Sequence, residues 1–112
     1  PVVIEPGQTS LIHTGWAMEI PSRHVGLIFA RSGLATKEGL APANKVGVID
    51  SDYRGEIMVS LHNHSDQKRA VISGQRIAQL VIMEIPSVVL EEEDSLSETR
   101  RGDGGFGSTG KQ

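Results

Sequence analysis

Four clusters of residues have the types and spacings that chemistry on a phosphorylated ligand requires. The first is Arg31-Ser32-Gly33, where an apolar run ends and a short helix signal begins. Amides at a helix start, a hydroxyl and a guanidinium together suit an anion; more often such a serine is only a helix cap. The second is Gly47-Val48-Ile49-Asp50-Ser51-Asp52-Tyr53-Arg54-Gly55, two carboxylates and a phenol in a turn between apolar runs. A carboxylate held there can orient or deprotonate a water. If the segment stays extended, Asp50, Asp52 and Arg54 share one side; alternatively, the two aspartates close a hairpin by bonding nearby amides. The third is Gly74-Gln75-Arg76-Ile77-Ala78-Gln79, in which Gln79 alternates with apolar neighbours and is a weak signal alone.

The fourth cluster runs from Arg101 through Phe106, Gly107, Ser108 and Thr109 to Lys111. Amides freed by glycine can cradle phosphate oxygens, the Ser108 and Thr109 hydroxyls can donate to them, and Arg101 can grip them in two-pronged fashion. Phe106 can then stack on a base. Composition alone reads the same stretch as a solvated glycine-rich segment. Its near match to a P-loop fails, because Gln112 stands where Ser or Thr is required and no strand precedes it. The four histidines, His13, His24, His62 and His64, have no metalloprotease spacing and read as surface residues, with His62 and His64 sharing one strand face.

The elements that must carry these clusters are strands. Apolar alternation with period two is broken every eight to twelve residues by glycine or proline, the pattern of an all-β sandwich or barrel. Trp16, Met18 and Ile20 share one face of a run that Pro21 ends, and Val25, Leu27 and Phe29 repeat the device. Ile57, Val59 and Leu61 alternate with Glu56, Met58, Ser60 and His62, which predicts a strand with one buried face. Asp66-Gln67 and Ser73-Gly74 read as turns. The one helix signal is short: Ser32 as cap, residues 33–38 as helix and Gly39 as stop.

At 112 residues the chain has one domain's worth of sequence. Hydrophobic residues make up 38% and charged residues 22%, the composition of a globular domain. The longest apolar stretches fall far short of the roughly 20 residues of a membrane helix, so no membrane partner is expected. With no cysteine there is no disulfide framework and no thiolate nucleophile, and a reducing compartment is permitted. The formal net charge is −3, but Glu91, Glu92, Glu93, Asp94 and Glu98 form one acidic run; without it the balance is 11 − 9 = +2. Such a body accepts a compact phosphate ligand and lacks the strongly basic face of a protein that binds long nucleic acid. Beyond the acidic run, glycine supplies five of the eleven residues from Arg100 to Gly110, and this end is expected to be a flexible tail.

Taken in order, the four clusters resemble motifs two to five of the homotrimeric dUTPase family, and the stretch from Thr14-Gly15 to Ile20-Pro21 is similar to that family as well. The resemblance runs from about Pro1 to Lys111. It implies an all-β jelly-roll fold with one short helix, a body over residues 1–94, and a tail over residues 95–112 that closes over the site. It implies hydrolysis of dUTP to dUMP and pyrophosphate with magnesium, in the cytoplasm, keeping uracil out of DNA and supplying dUMP for dTMP synthesis. By motif, Asp50 is expected to orient the attacking water and touch the 3′-hydroxyl, and Tyr53 to pack under the deoxyribose and exclude a 2′-hydroxyl. Asn44, six residues before Asp50, is expected to read the uracil edge. Arg31, Ser32, Gly33 and Gln79 are expected to hold the α- and β-phosphates. Arg101, Ser108 and Thr109 are expected to grip the γ-phosphate as Phe106 and Gly107 close over the base, in a homotrimer whose sites are shared between subunits.

The family's first motif, an Ala-Gly-x-Asp-Leu stretch whose aspartate helps position hydrated magnesium, has no counterpart in this sequence. The chain therefore reads as an N-terminally incomplete piece, with no protein metal ligand expected in it. Lys45, beside Asn44, is more polar than the family's usual residue there. The related dCTP deaminases resemble the chain in the second and third motifs, but their catalytic glutamate falls near Ser60, and they usually carry Phe or Trp where Tyr53 stands. A jelly-roll module that binds nucleotide without turning it over is the remaining alternative.

Overall fold

The computed structural model describes residues 1–107. Eight strands and one helix follow in the order β1 (Val2–Ile4), β2 (Thr9–His13), β3 (His24–Ala30), α1 (Ser32–Glu38), β4 (Leu40–Pro42), β5 (Gly47–Ile49), β6 (Met58–Asn63), β7 (Arg69–Val71) and β8 (Ala78–Glu84). They form three antiparallel sheets, ordered β1-β7, β2-β6-β4 and β5-β3-β8. The fold is all-β, as the alternation predicts, and jelly-roll-like, as the resemblance implies. No helix of the described residues is long and apolar enough to cross a membrane.

The predicted face of β6 is the observed one: Ile57, Val59 and Leu61 are buried, while Met58, Ser60 and His62 are half-buried on the other side. These residues meet Ile4, Ile12, Leu40 and Val71 in one apolar cluster, which accounts for much of the favourable free energy of folding. Three expectations are corrected. The Trp16–Ile20 run forms no strand. Ile20 is buried and Met18 packs against the core, but Trp16 is 71% exposed, and the run's tie to a neighbour is the Ile57 N–H to the Trp16 carbonyl at 2.7 Å. On β3 the buried residues are Val25, Gly26 and Ile28, with Leu27 and Phe29 half-buried. Val25 and Ile28 lie on opposite faces of β3 and both are buried, so strict alternation fails there. Finally, Ser32 is the first residue of α1; the cap position falls on Arg31, and no side chain caps it. Gly39 does end the helix, at φ 70, a conformation that costs glycine little.

Asn63 is the polar exception in the core, with none of its surface exposed. Its Nδ2 donates to the Ile4 and Gln67 carbonyls, both at 2.8 Å, and its Oδ1 accepts from the Ser65 N–H at 2.9 Å and the Ser65 hydroxyl at 2.7 Å. Its own backbone pairs with Gln8 and Gly7, each at 2.9 Å. One side chain thereby ties β1, β6 and the turn before β7 together. After Glu84 the chain leaves the sheets. Ile85 N–H reaches the Arg23 carbonyl at 2.7 Å, and then Val88, Val89 and Leu90 stand 71%, 84% and 92% exposed. The radius of gyration is 19.1 Å, against about 13 Å for a compact chain of this length.

Replacing Asn63 with Ala removes the side-chain donor to the buried Ile4 carbonyl and the acceptor of the Ser65 N–H, while Gln67 and the Ser65 hydroxyl still bond each other, and should destabilise the protein by about 3 kcal/mol. Urea unfolding reads this as a lower midpoint at an unchanged slope; an unchanged midpoint would show that water satisfies those groups.

Candidate active site

The second cluster does not run extended. Tyr53 N–H bonds the Asp50 carbonyl at 3.1 Å and closes a turn, and Arg54 Nη1 donates back to the Ser51 carbonyl at 2.8 Å and the Tyr53 carbonyl at 3.2 Å. The expected common side for Asp50, Asp52 and Arg54 is therefore lost. The hairpin-capping alternative fails too, because among the described residues neither aspartate carboxylate accepts a hydrogen bond. Asp50 is exposed at the end of β5, its carboxylate free to engage a ligand.

Three predicted residues meet in one cleft. Asn44, Asp50 and Tyr53 line a cavity of about 300 Å³ together with Leu11, Val48 and Ser60. Asn44 reaches it from the turn that joins β4 to β5. There Lys45 adopts φ 68, and Val46 N–H bonds the Asn44 carbonyl at 2.7 Å. The polar Lys45 thus sits at an exposed turn tip. Tyr53 is folded back so that its hydroxyl donates to the Glu56 carbonyl at 2.7 Å. That posture depends on Gly55: a Cβ there would lie 2.5 Å from the Tyr53 hydroxyl oxygen and 2.7 Å from Cζ.

A second group gathers elsewhere. β3 and β8 pair Phe29 with Gln79 and Ala30 with Ala78, and Gln79 Nε2 donates to the Ala30 carbonyl at 2.8 Å. Gln79 therefore stands beside Arg31, Ser32 and Gly33 at the start of α1. None of the four lines the Asp50 cleft. The register explains why: β5 runs antiparallel to β3 with Ile49 opposite Gly26, so Asp50 lies past one end of the pairing and Arg31 past the other. Gly26 and Ala30 alone are about 13 Å apart at strand rise.

In the fourth cluster, Arg101 Nε donates to the Gly104 carbonyl and Gly104 N–H to the Arg101 carbonyl at 3.1 Å, so these residues close a turn of their own. Phe106 is fully exposed, and Arg101, Phe106 and Gly107 do not line the cleft. Ser108 and Thr109 lie outside the described residues.

Sequence reasoning left two cleft neighbours without a role. Glu56 lines the cavity, and His13, read as a surface residue, donates from Nδ1 to Glu56 Oε1 at 2.9 Å. The His13 hydrogen bond, and after it the Gly15 N–H, hold the Glu56 carboxyl below its ordinary value. The two residues are 43 positions apart, so no local pattern announces the pair. A larger cleft of about 610 Å³ is lined by Val2, Leu11, Trp16 and Ile72, by His13, and by Gly74 and Gln75 of the third cluster, but by none of Asn44, Asp50, Tyr53, Gln79 or the Arg31 group. No three His, Asp or Glu side chains come together as a metal cage among the described residues.

Comparison with known proteins bears on the family and the fold. A family model described as dUTPase matches residues 1–110. The deoxyuridine 5′-triphosphate nucleotidohydrolase of Desulfitobacterium hafniense is 54% identical over 110 residues, which are 97% of this chain and 73% of that protein. The protein of the same name from Corynebacterium glutamicum is 51% identical over 97% of this chain and 74% of its own length. Among solved structures, a Staphylococcus bacteriophage 80alpha dUTPase G164S mutant with dUpNHpp superposes with a TM-score of 0.89 at 30% identity, covering 97% of this chain and 80% of the phage chain.

Gly55→Ala should evict the Tyr53 ring from the Glu56 carbonyl without straining the backbone, because the clashing atoms are the far end of a movable side chain. The Tyr53 ring resonances should shift, with a stability loss of only about 1 kcal/mol for the hydrogen bond. Unmoved resonances would show that the ring does not rest on Gly55.

Proposed function

This chain belongs to the dUTPase family, and we propose that it hydrolyses dUTP to dUMP and pyrophosphate through the residues gathered at the Asp50 cleft. The observation that carries the reading is the meeting of Asn44, Asp50 and Tyr53 in one cavity. Asp50 orients a water against the α-phosphorus and takes its proton. A new bond forms from the water oxygen to phosphorus, the bond to the bridging oxygen breaks, and pyrophosphate leaves with the electron pair. Tyr53 packs under the deoxyribose, where a 2′-hydroxyl has no room, and Asp50 also meets the 3′-hydroxyl. The Asn44 amide matches the carbonyls and N3 proton of uracil. The activity keeps uracil out of DNA and supplies dUMP for dTMP synthesis.

Arg31, Ser32, Gly33 and Gln79 hold the α- and β-phosphates. They lie past the opposite end of β3 from Asp50, so one chain presents two half-sites facing apart. That separation supports a homotrimer in which each site combines one copy's Asp50 cleft with another's Arg31 group. The exposed apolar residues after β8 support the same assembly. In it, residues 1–94 are the body, and residues 95–112 bring Arg101, Phe106, Gly107, Ser108 and Thr109 over a bound nucleotide.

Magnesium fits this donor set as an ion carried on the triphosphate and its waters, the manner in which it commonly binds beside nucleotide phosphates. When bound it neutralises phosphate charge. A nucleotide substrate and a cysteine-free chain suit a cytoplasmic protein. Against a deaminase, Ser60 lines the cleft where a deaminase's glutamate is expected.

The decisive assay is magnesium-dependent pyrophosphate release from dUTP, dCTP and UTP in parallel, with products identified. Release from dUTP alone is expected; ammonia from dCTP, or tight binding with no turnover, would overturn the reading. Asp50→Asn should lower kcat by at least about 100-fold while leaving dUpNHpp affinity within about threefold. Near-normal turnover would remove Asp50 from the water. Deleting residues 101–112 should leave the oligomer intact in sedimentation and abolish most turnover, and a full rate would return the segment to a solvated tail.

A further inference from the structure

The roles above use no histidine, yet two histidines stand together. His62 near the end of β6 and His64 just past it share one face, with ring centres 4.5 Å apart and ring planes inclined at 67°. They line neither cleft described above. His62 is half-buried and His64 exposed, so solvent reaches the pair. We propose that His62 and His64 form a two-imidazole chelate for zinc or a similar nitrogen-preferring divalent ion, with water in the remaining positions. The site is separate from the magnesium carried on the triphosphate.

Both rings rise from backbone that is held in place. β6 is the middle strand of β2-β6-β4, and His62 lies opposite Thr9 on β2 and Ala41 on β4. The His64 N–H donates to the Gly39 carbonyl at 2.7 Å, which carries the pairing past the last residue of the strand. Two imidazoles that share one ion at about 2.1 Å per nitrogen and at the tetrahedral angle hold their ring centres about 5 Å apart. A small rotation of either ring therefore takes the observed 4.5 Å to a bound geometry.

His62 is also oriented as a ligand needs to be. Its Nδ1 lies 2.8 Å from Thr9 Oγ1. In the tautomer that presents Nε2 to an ion, Nδ1–H donates to that hydroxyl, and a metal-bound imidazole is commonly fixed by such a bond from its other nitrogen. Desolvation first, and then the charges of His62 and Lys45, hold the His64 ring below its ordinary value, so the neutral ring that ligates metal is the form present at neutral pH. Lys45 also opposes the binding, because its charge repels a cation beside His64. An anion would gain from Lys45, but two neutral imidazoles give it no charge to pair with. Two nitrogen lone pairs at chelating distance suit a zinc-like ion instead.

The test titrates the full chain with zinc chloride in a buffer free of phosphate, reading the heat of binding and the histidine ring resonances. One ion should bind per chain, shifting the His62 and His64 ring protons and leaving those of His13 and His24 in place. His62→Gln and His64→Gln should each weaken binding by about 100-fold, the loss of one arm of a chelate, with the amide spectrum of the body otherwise that of wild type. Thr9→Val touches no ion and should weaken binding by about tenfold through the ring it orients. Lys45→Gln should tighten binding by removing a like charge. Magnesium in about tenfold excess should not compete, because it prefers oxygen ligands. Full affinity in either histidine variant, one ion shared by three chains, displacement by magnesium, or equal shifts at all four histidines would each overturn the chelate. Inorganic phosphate that shifts the two rings where zinc does not, and that Lys45→Gln weakens, would overturn it in favour of an anion site.

Discussion

The buried amide of Asn63 is the constraint on which the rest of the structure depends. A side chain with no exposed surface must have every polar atom satisfied, and this one is satisfied by groups from two separate stretches of chain, β1 and the turn before β7. That requirement admits one register. If β6 slipped by one residue, its whole buried set would turn outward, and the amide would lose the Ile4 and Gln67 carbonyls together. With the register pinned, Val59 and Leu61 face the core, and Met58 and Ser60 are committed to the cleft on the opposite face. The back wall of the candidate site is therefore set by a residue that never touches it.

The cleft itself is built by departures from regular strand. β5 ends at Ile49, and the turn through Asp50 to Tyr53 frees the aspartate carboxylate from local bonds while the phenol is tied down. The polar side chains of the candidate site thus differ in their hydrogen bonding. Among the described residues the Asp50 carboxylate has no hydrogen-bond partner, whereas the side chains of Tyr53, Glu56 and Gln79 each have a main-chain partner that fixes their direction. A carboxylate left uncommitted in the folded protein is available to water and ligand, and partners already in place cost no reorganisation when the ligand arrives.

Much of this was legible in the chain. The alternation of Ile57, Val59 and Leu61 gave the correct buried face, Gly39 the correct helix stop, and the clusters around Asp50 and Arg31 the residues that the fold assembles into two groups. What stayed hidden has physical reasons. Period two reports which residues share a face but not whether a strand has partners, so Trp16 to Ile20 read as a strand that does not form. A strand that buries an apolar residue on each face, as β3 does with Val25 and Ile28, carries no clean alternation, which misplaced its faces. A cap is decided by a single backbone conformation, and Arg31 at φ −87 and ψ 126 holds the position assigned to Ser32. Asn63 continues the parity of Val59 and Leu61, yet its polarity hides it from any search for apolar periodicity. His13 and Glu56 meet only because β2 and β6 pair.

Every strand pairing among the described residues lies between Val2 and Glu84. During synthesis, therefore, the sheets can close while the last part of the chain is still leaving the ribosome. Pairing of the described strands draws on one copy of the chain alone. The apolar side chains after β8 enter the cell later and uncovered, so whatever shields them is governed by encounter and by concentration. Two clocks, one intrinsic and one set by expression level, follow from the point at which the last strand ends.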